Sequence, residues 1–267
     1  MQRFLKICIL ALSVALPGLF AQQKPPAPKS KDELAAIQAM LAAPDADGRI
    51  KAAENLLTKY ADTDFKALAL YVEATSYQQK NDYDKMIVYA EQAVQADPKQ
   101  YAAMLLLAKG IAQRTREFDL DREEKLTRVE KYAKDAMDLV KAAPKPNPQI
   151  TDDQWTQAKN EYLAQAHEAL GYAAKARKNR DLAITEMKLA IDLVPDPVTM
   201  VQLAVVYDQA GKPDDALPLL DKVMAMQDTP VVVRQFAQAE KVRATQLKSG
   251  PAKPAAAAPP QVEIKKQ

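Results

Sequence analysis

Between residues 31 and 247 apolar side chains recur every three or four positions, and no stretch alternates apolar with polar at every second one. That period predicts helices throughout and no strand. Their starts are marked. Ser30-x-x-Glu33, Asp121-x-x-Glu124 and Thr151-x-x-Gln154 each place a short acceptor three residues before a Glu or Gln. This is the capping-box spacing, in which the two side chains satisfy free amides at a helix start. Asp47–Gly48, Asn81–Asp82, Gly211–Lys212–Pro213 and the prolines at 98, 144, 146, 148, 195, 197 and 230 break one helix from the next.

The helices recur as pairs. Ala74 and Ala108 are 34 residues apart, and Gly171 and Ala204 are 33 apart. In the second helix of each pair, Ala52 and Met86 are 34 apart and Ala183 and Ala216 are 33 apart; Pro98 and Pro195 each close a unit. A period of this length means stacked supersecondary units, none of which buries its apolar face alone. The residues that recur resemble the tetratricopeptide repeat. In 67–100 they are Leu70, Glu73-Ala74, Tyr77, Asn81, Met86, Ala90, Ala93 and Pro98. Further on they are His167, Leu170-Gly171, Ala174, Ala183, Met187 and Pro195, and then Met200, Leu203-Ala204, Tyr207, Gly211, Ala216, Leu220 and Val223. Three departures stand out: no unit carries the family's Trp, Glu73 fills a usual Leu slot, and Asp64 stands where 33–66 would have its proline.

The resemblance implies an all-α fold, a right-handed α-solenoid of about five helix-turn-helix units. The units are expected near 33–66, 67–100, 101–143, 151–196 and 197–230, with a C-terminal capping helix at 231–247 that packs through Val231, Phe236 and Val242. The third unit carries a charged insertion, RTREFDLDREEKLTR, which moves the start of its second helix to somewhere between Asp119 and Lys125. PKPNPQI is the expected linker, and the helix at 151–178 is long enough for its first half to overhang the unit it begins.

Composition changes the picture at the ends. Arg3 and Lys6, an apolar run from Ile7 to Leu16 and Ala21 make residues 1–21 a secretory signal peptide, with cleavage expected after Ala21. Cys8 lies inside the apolar run, misplaced for a lipid acceptor, so the mature chain is expected in the periplasm or outside the cell, with no stable membrane insertion. The proline-rich leader 22–31 and the Pro/Ala/Lys tail 248–267 read as disordered. Without Arg3 and Lys6 the 37 basic residues fall to 35, equal to the 35 acidic ones. A neutral chain has no global field to draw it to nucleic acid or anionic lipid.

Catalytic material is scarce. His167 is the one histidine, the glycines are isolated from one another, and no serine sits in a nucleophile-elbow context. Asp152-Asp153 and the DREEK run read as helix-start charge and a solvated face. The expectation is therefore no enzyme, no cofactor and no metal. The resemblance implies binding instead, with the first helices of successive pairs lining a concave groove for a peptide or a partner's helix. Carried over by slot, that groove holds Leu68, Tyr71, Thr75 and Gln78, then Leu105, Lys109 and Gln113. Gln165, Glu168, Tyr172 and Lys175 follow, and then Val198, Val201 and Asp208. Tyr71 and Tyr172 would be the anchors, and Lys109 would meet an acidic group on the ligand. The family's carboxylate clamp is missing: its slots hold Tyr71 and Thr75, Leu106, and Gln165 and Ala169. The partner is expected to be a protein or peptide. The alternatives are a homo-oligomer built from the stack ends, or a subunit of an envelope assembly or secretion complex.

Overall fold

Residues 26–249 are described in the computed structural model, and they form eleven helices with no strand among them. The helices are α1 (Lys31–Ala42), α2 (Ala46–Lys59), α3 (Lys66–Gln79), α4 (Tyr83–Ala96), α5 (Tyr101–Arg114) and α6 (Arg122–Ala142). They continue as α7 (Asp152–Ala176), α8 (Arg180–Leu193), α9 (Pro197–Gln209), α10 (Pro213–Ala225) and α11 (Val231–Ser249). The signal segment 1–21, residues 22–25 of the leader and residues 250–267 of the tail lie outside the described residues. Two compact units meet in the chain at Thr199 and Met200. In the first, each helix packs on its sequence neighbours and α5 also packs on α7; in the second, α10 packs on α11.

Three hairpin turns share one geometry. Asn81, Lys178 and Gly211 have φ of 60°, 62° and 71°. The amide one residue later bonds back five positions in each: Asp82 to Tyr77, Asn179 to Ala174 and Lys212 to Tyr207, all at 2.9 Å. This is the Schellman ending, which satisfies carbonyls left free at a helix C-terminus and needs one left-handed residue. The next helix starts at once. Asp82 and Asn179 accept the amides of Lys85 and Leu182, and Pro213 opens α10 without needing a donor.

Small residues sit where helices of a hairpin cross. Ala74, Ala108, Ala183, Ala204 and Ala216 are buried, as their recurrence predicts. A Cβ built on Gly171 would lie 2.7 Å from Met187 Cγ, so only glycine fits there without a shift of Met187. The first repeat, 33–66, departs from the expected register. Ala52 is only half-buried, and Ala53 is the core residue, aligned with Ala90 rather than Met86. The reason is the connection Tyr60–Phe65, two residues longer than Asp97–Gln100 and without its proline.

Other expectations are corrected in the same way. Thr151 and Gln154 form the full reciprocal capping box. Ser30 accepts the Glu33 amide, but the Glu33 carboxylate accepts from the Lys29 amide and the Thr63 hydroxyl instead, each at 2.6 Å. Asp121 makes no cap bond at all, because its carboxylate pairs with Lys125 at 2.9 Å. The end of the leader is held in place: Lys29 Nζ pairs with Asp62 at 2.7 Å and also reaches its carbonyl. In the last helix the expected packing face is reversed. Val231, Phe236 and Val242 are exposed, and Ala237 and Ala244 are the residues α11 buries. Two alanines allow a closer approach than Phe and Val would.

Candidate functional site

Helix α3 is buried on nearly every side. Ala67, Ala69, Leu70, Val72, Glu73, Ala74, Ser76 and Tyr77 are all in the interior. Apart from its terminal Lys66 and Gln79, the residues left accessible are Leu68, Tyr71, Thr75 and Gln78. Their spacing of three and four puts them in one stripe. These are the four groove residues expected of this unit. Tyr71 packs by its ring against the core, and Thr75 donates to the Val72 carbonyl at 3.0 Å, which fixes its rotamer.

The next two sets meet where α5 packs on α7. Lys109 Nζ pairs with Glu168 Oε2 at 2.9 Å, and the Tyr172 hydroxyl donates to Glu168 Oε1 at 3.2 Å. Gln113 reaches the same hydroxyl, and burial followed by the Glu168 charge pushes the Tyr172 phenol above its usual range. Lys109 thus has its acidic partner within the chain, where the sequence reading gave it one on a ligand. Glu168 is buried, and Leu105 is a core residue; neither offers surface. Gln113 is exposed and Gln165, Tyr172 and Lys175 are half-buried, so these four and the stem of Lys109 make up the accessible part.

In α9 the stripe is displaced. Val198 is exposed as expected, but Val201 and Asp208 are buried, and Gln202, Val205 and Gln209 are the positions left open. Asp208 faces Glu240 of α11, and both are largely out of water with Arg243 the nearest cation. Two carboxylates cannot bond without a proton between them. Burial, then Glu240, raises the Asp208 carboxyl to about 6, against the opposing pull of Arg243.

The sequence reading gave the charged insertion no partner; the structure does. Arg177 bridges Glu123 at 2.8 Å and Glu130 at 2.6 Å, Lys178 pairs with Glu117, and Arg122 donates to the Ala176 carbonyl. The insertion and the start of α6 therefore clasp the α7–α8 turn. Their signal in the sequence was the density of paired signs, not a spacing. His167 bonds Glu186 through Nδ1 at 2.7 Å and so ties α7 to α8 within a hairpin. Lys159 lies over the Trp155 ring at 5.4 Å on the first half of α7. A cavity of about 360 Å³ opens beside it, between Asp153, Gln157, Asn160 and Leu193–Pro195. Among the described residues no three His, Cys, Asp or Glu converge as metal ligands, and no helix is long and apolar enough to cross a membrane.

Hairpins stacked in chain order, Schellman turns at matching positions and small residues at each crossing define an all-α fold of the tetratricopeptide repeat kind. Residues 67–100, which carry the α3 stripe, match the family model for the tetratricopeptide repeat. No curated protein matches the chain. Among solved structures, a thermophilic TPR protein from Thermus thermophilus is similar over 79% of this chain and 99% of its own, at 18% identity and a TM-score of 0.56. MamA from Desulfovibrio magneticus is similar over 74% of this chain and 98% of its own, at 16% identity and a TM-score of 0.46. The first likeness shows the fold; the second is too distant to carry an argument.

Proposed function

We propose that the chain is an exported, non-enzymatic scaffold that holds a peptide or helix of another protein along the stripe of α3, α5 and α7. The observation that carries this is α3 itself: interior on all sides but one, it leaves Leu68, Tyr71, Thr75 and Gln78 half-buried in a single stripe. A helix with no other free surface and a stiff aromatic at its centre is suited to contact rather than to solvation. Tetratricopeptide folds in general bind protein partners, which supports the same reading. The stripe is neutral on α3, and Lys109 is neutralised by Glu168, so recognition rests on apolar contact and hydrogen bonds rather than on a charge clamp. Secretion supplies the setting, with Gln22 as the first mature residue.

A photo-crosslinking side chain at Thr75, Gln78 or Gln113, expressed in the native organism, is expected to capture one protein in common. The same probe at Lys51 on α2 is expected to capture none. Capture from Lys51 alone would place binding on the opposite face and end this reading. Sequencing of the mature N-terminus tests the export step, and an intact Met1 would refute it.

A further inference from the structure

The outer face of α11 carries large apolar side chains, interspersed with Gln235, Arg243 and Gln246, where the end of a helical stack ordinarily presents polar residues to water. Val231, Val232, Phe236, Val242 and Leu247 are 49–71% exposed, and they share one half of the helix with the exposed Ala239. The opposite half, with Ala237 and Ala244, is the one that packs. We propose that this face is a self-association surface, on which α11 of a second copy lies antiparallel about a two-fold axis through Ala239.

Charge selects this occupant. Lys241, Arg243 and Lys248 are paired with Asp221, Glu240 and Asp214, and Arg234 donates to the carbonyls of Met226, Gln227 and Thr229. Each cation of α11 is thus engaged by its own chain. An acidic partner would have to compete with these intramolecular pairs for every cation. A lipid surface finds none of the unpaired lysines and arginines that anchor an interfacial helix. A second copy needs neither.

The sequence of the face is also its own complement. In an antiparallel pair centred on Ala239, Val231 meets Leu247 and Phe236 meets Val242, on both sides of the axis. Val232 falls opposite Gln246, and Gln235 opposite Arg243, so no like charges meet. A parallel pair would instead set Arg243 against itself. Ala239 at the crossing lets the backbones approach, with the larger side chains closing around it. A two-fold contact of this kind uses the same patch on both copies.

The area sets the strength. Nineteen residues span about 28 Å, and half the circumference of a helix about 10 Å wide gives roughly 450 Å² per copy. A standard stable interface buries about 800 Å² per partner. The contact is therefore of the weak, reversible class.

Sedimentation of the full chain from low micromolar to near-millimolar concentration tests this, and a concentration-dependent dimer is expected. Phe236→Glu should raise the dissociation constant at least tenfold and leave the melting temperature unchanged, because the ring is exposed. Phe118→Glu, at the other exposed aromatic, should change neither. In a Cys8→Ser background, Ala239→Cys should be joined to its copy by a short bis-maleimide and Thr245→Cys should not. A chain monomeric at every concentration, or a dimer that survives Phe236→Glu, would overturn the proposal. So would a dimer that appears only after truncation at Ser249, since the tail would then be the occupant of the face.

Discussion

Two buried glutamates in the first unit show how one side chain is settled by its partners and another is not. Glu33 has the Thr63 hydroxyl on one oxygen and the Lys29 amide on the other, both at 2.6 Å. Glu73 is 1% exposed, and its Oε2 has no hydrogen-bond partner among the described residues. Burial, and then the charge of Glu54, raises the Glu73 carboxyl to about 7. The folded state therefore holds a proton that the unfolded chain releases near its ordinary value of 4.5. Between those two values stability falls as pH rises, and above the upper one the loss is complete. The span corresponds to about 3 kcal/mol as an upper figure. Glu73→Leu, which restores the residue the repeat usually has there, is expected to raise the melting temperature at pH 8 and to change it little at pH 4. Equal gains at both pH values would mean that burial of apolar area, rather than ionisation, decides the site.

At the scale of the element, the two helical glycines in α5 and α7 predict opposite outcomes. A Cβ on Gly171 meets Met187 Cγ at 2.7 Å and the Met187 backbone nitrogen at 3.4 Å. Cγ sits next to the α8 backbone, so clearing it takes a new Met187 rotamer in a packed interior or a shift of α8. A Cβ on Gly110 meets the terminal methyl of Met86, the free end of a flexible chain. Alanine gains about 1 kcal/mol over glycine in a helix interior, whereas overpacking a tight contact costs about 1–3 kcal/mol. Gly171→Ala should therefore lower the melting temperature, and Gly110→Ala should leave it level or higher; the reverse order in thermal melts would refute the assignment. Lys178 holds the left-handed turn position that Gly211 fills in α9–α10, so Lys178→Gly should stabilise by up to about 1 kcal/mol. That turn also shows the limit of what was legible. Period and small-residue spacing revealed the hairpins, the charged insertion marked the late start of α6, and the resemblance to the repeat family supplied the positions of the α3 stripe, because each is set within one helix or one pair. A lysine in a left-handed turn leaves no mark in the residue order. The buried face of α11 and the partner of Lys109 were missed for a related reason: both are decided by which helix lies opposite, and spacing along one helix is silent about that.

For the molecule as a whole, neighbour-to-neighbour packing predicts that damage stays local before it spreads. Among the described residues the two compact units carry one raised carboxyl each, Glu73 in the first at about 7 and Asp208 in the second at about 6. Both acids bind their protons more tightly when folded, so both units lose stability as pH rises. The second unit completes its loss near 6 and the first near 7. The single Trp155 lies in the first unit, so its fluorescence follows that unit alone, while far-ultraviolet circular dichroism follows both. Thermal melts should therefore show Trp155 fluorescence midpoints that still decline between pH 6 and 7 in the native chain and become flat in Glu73→Leu. Asp208→Asn should flatten the circular-dichroism midpoint between pH 4 and 6 without moving the fluorescence midpoint. If Asp208→Asn shifts the Trp155 midpoint as far as Glu73→Leu does, the chain melts as one cooperative body, and the two-unit reading of its stability is wrong.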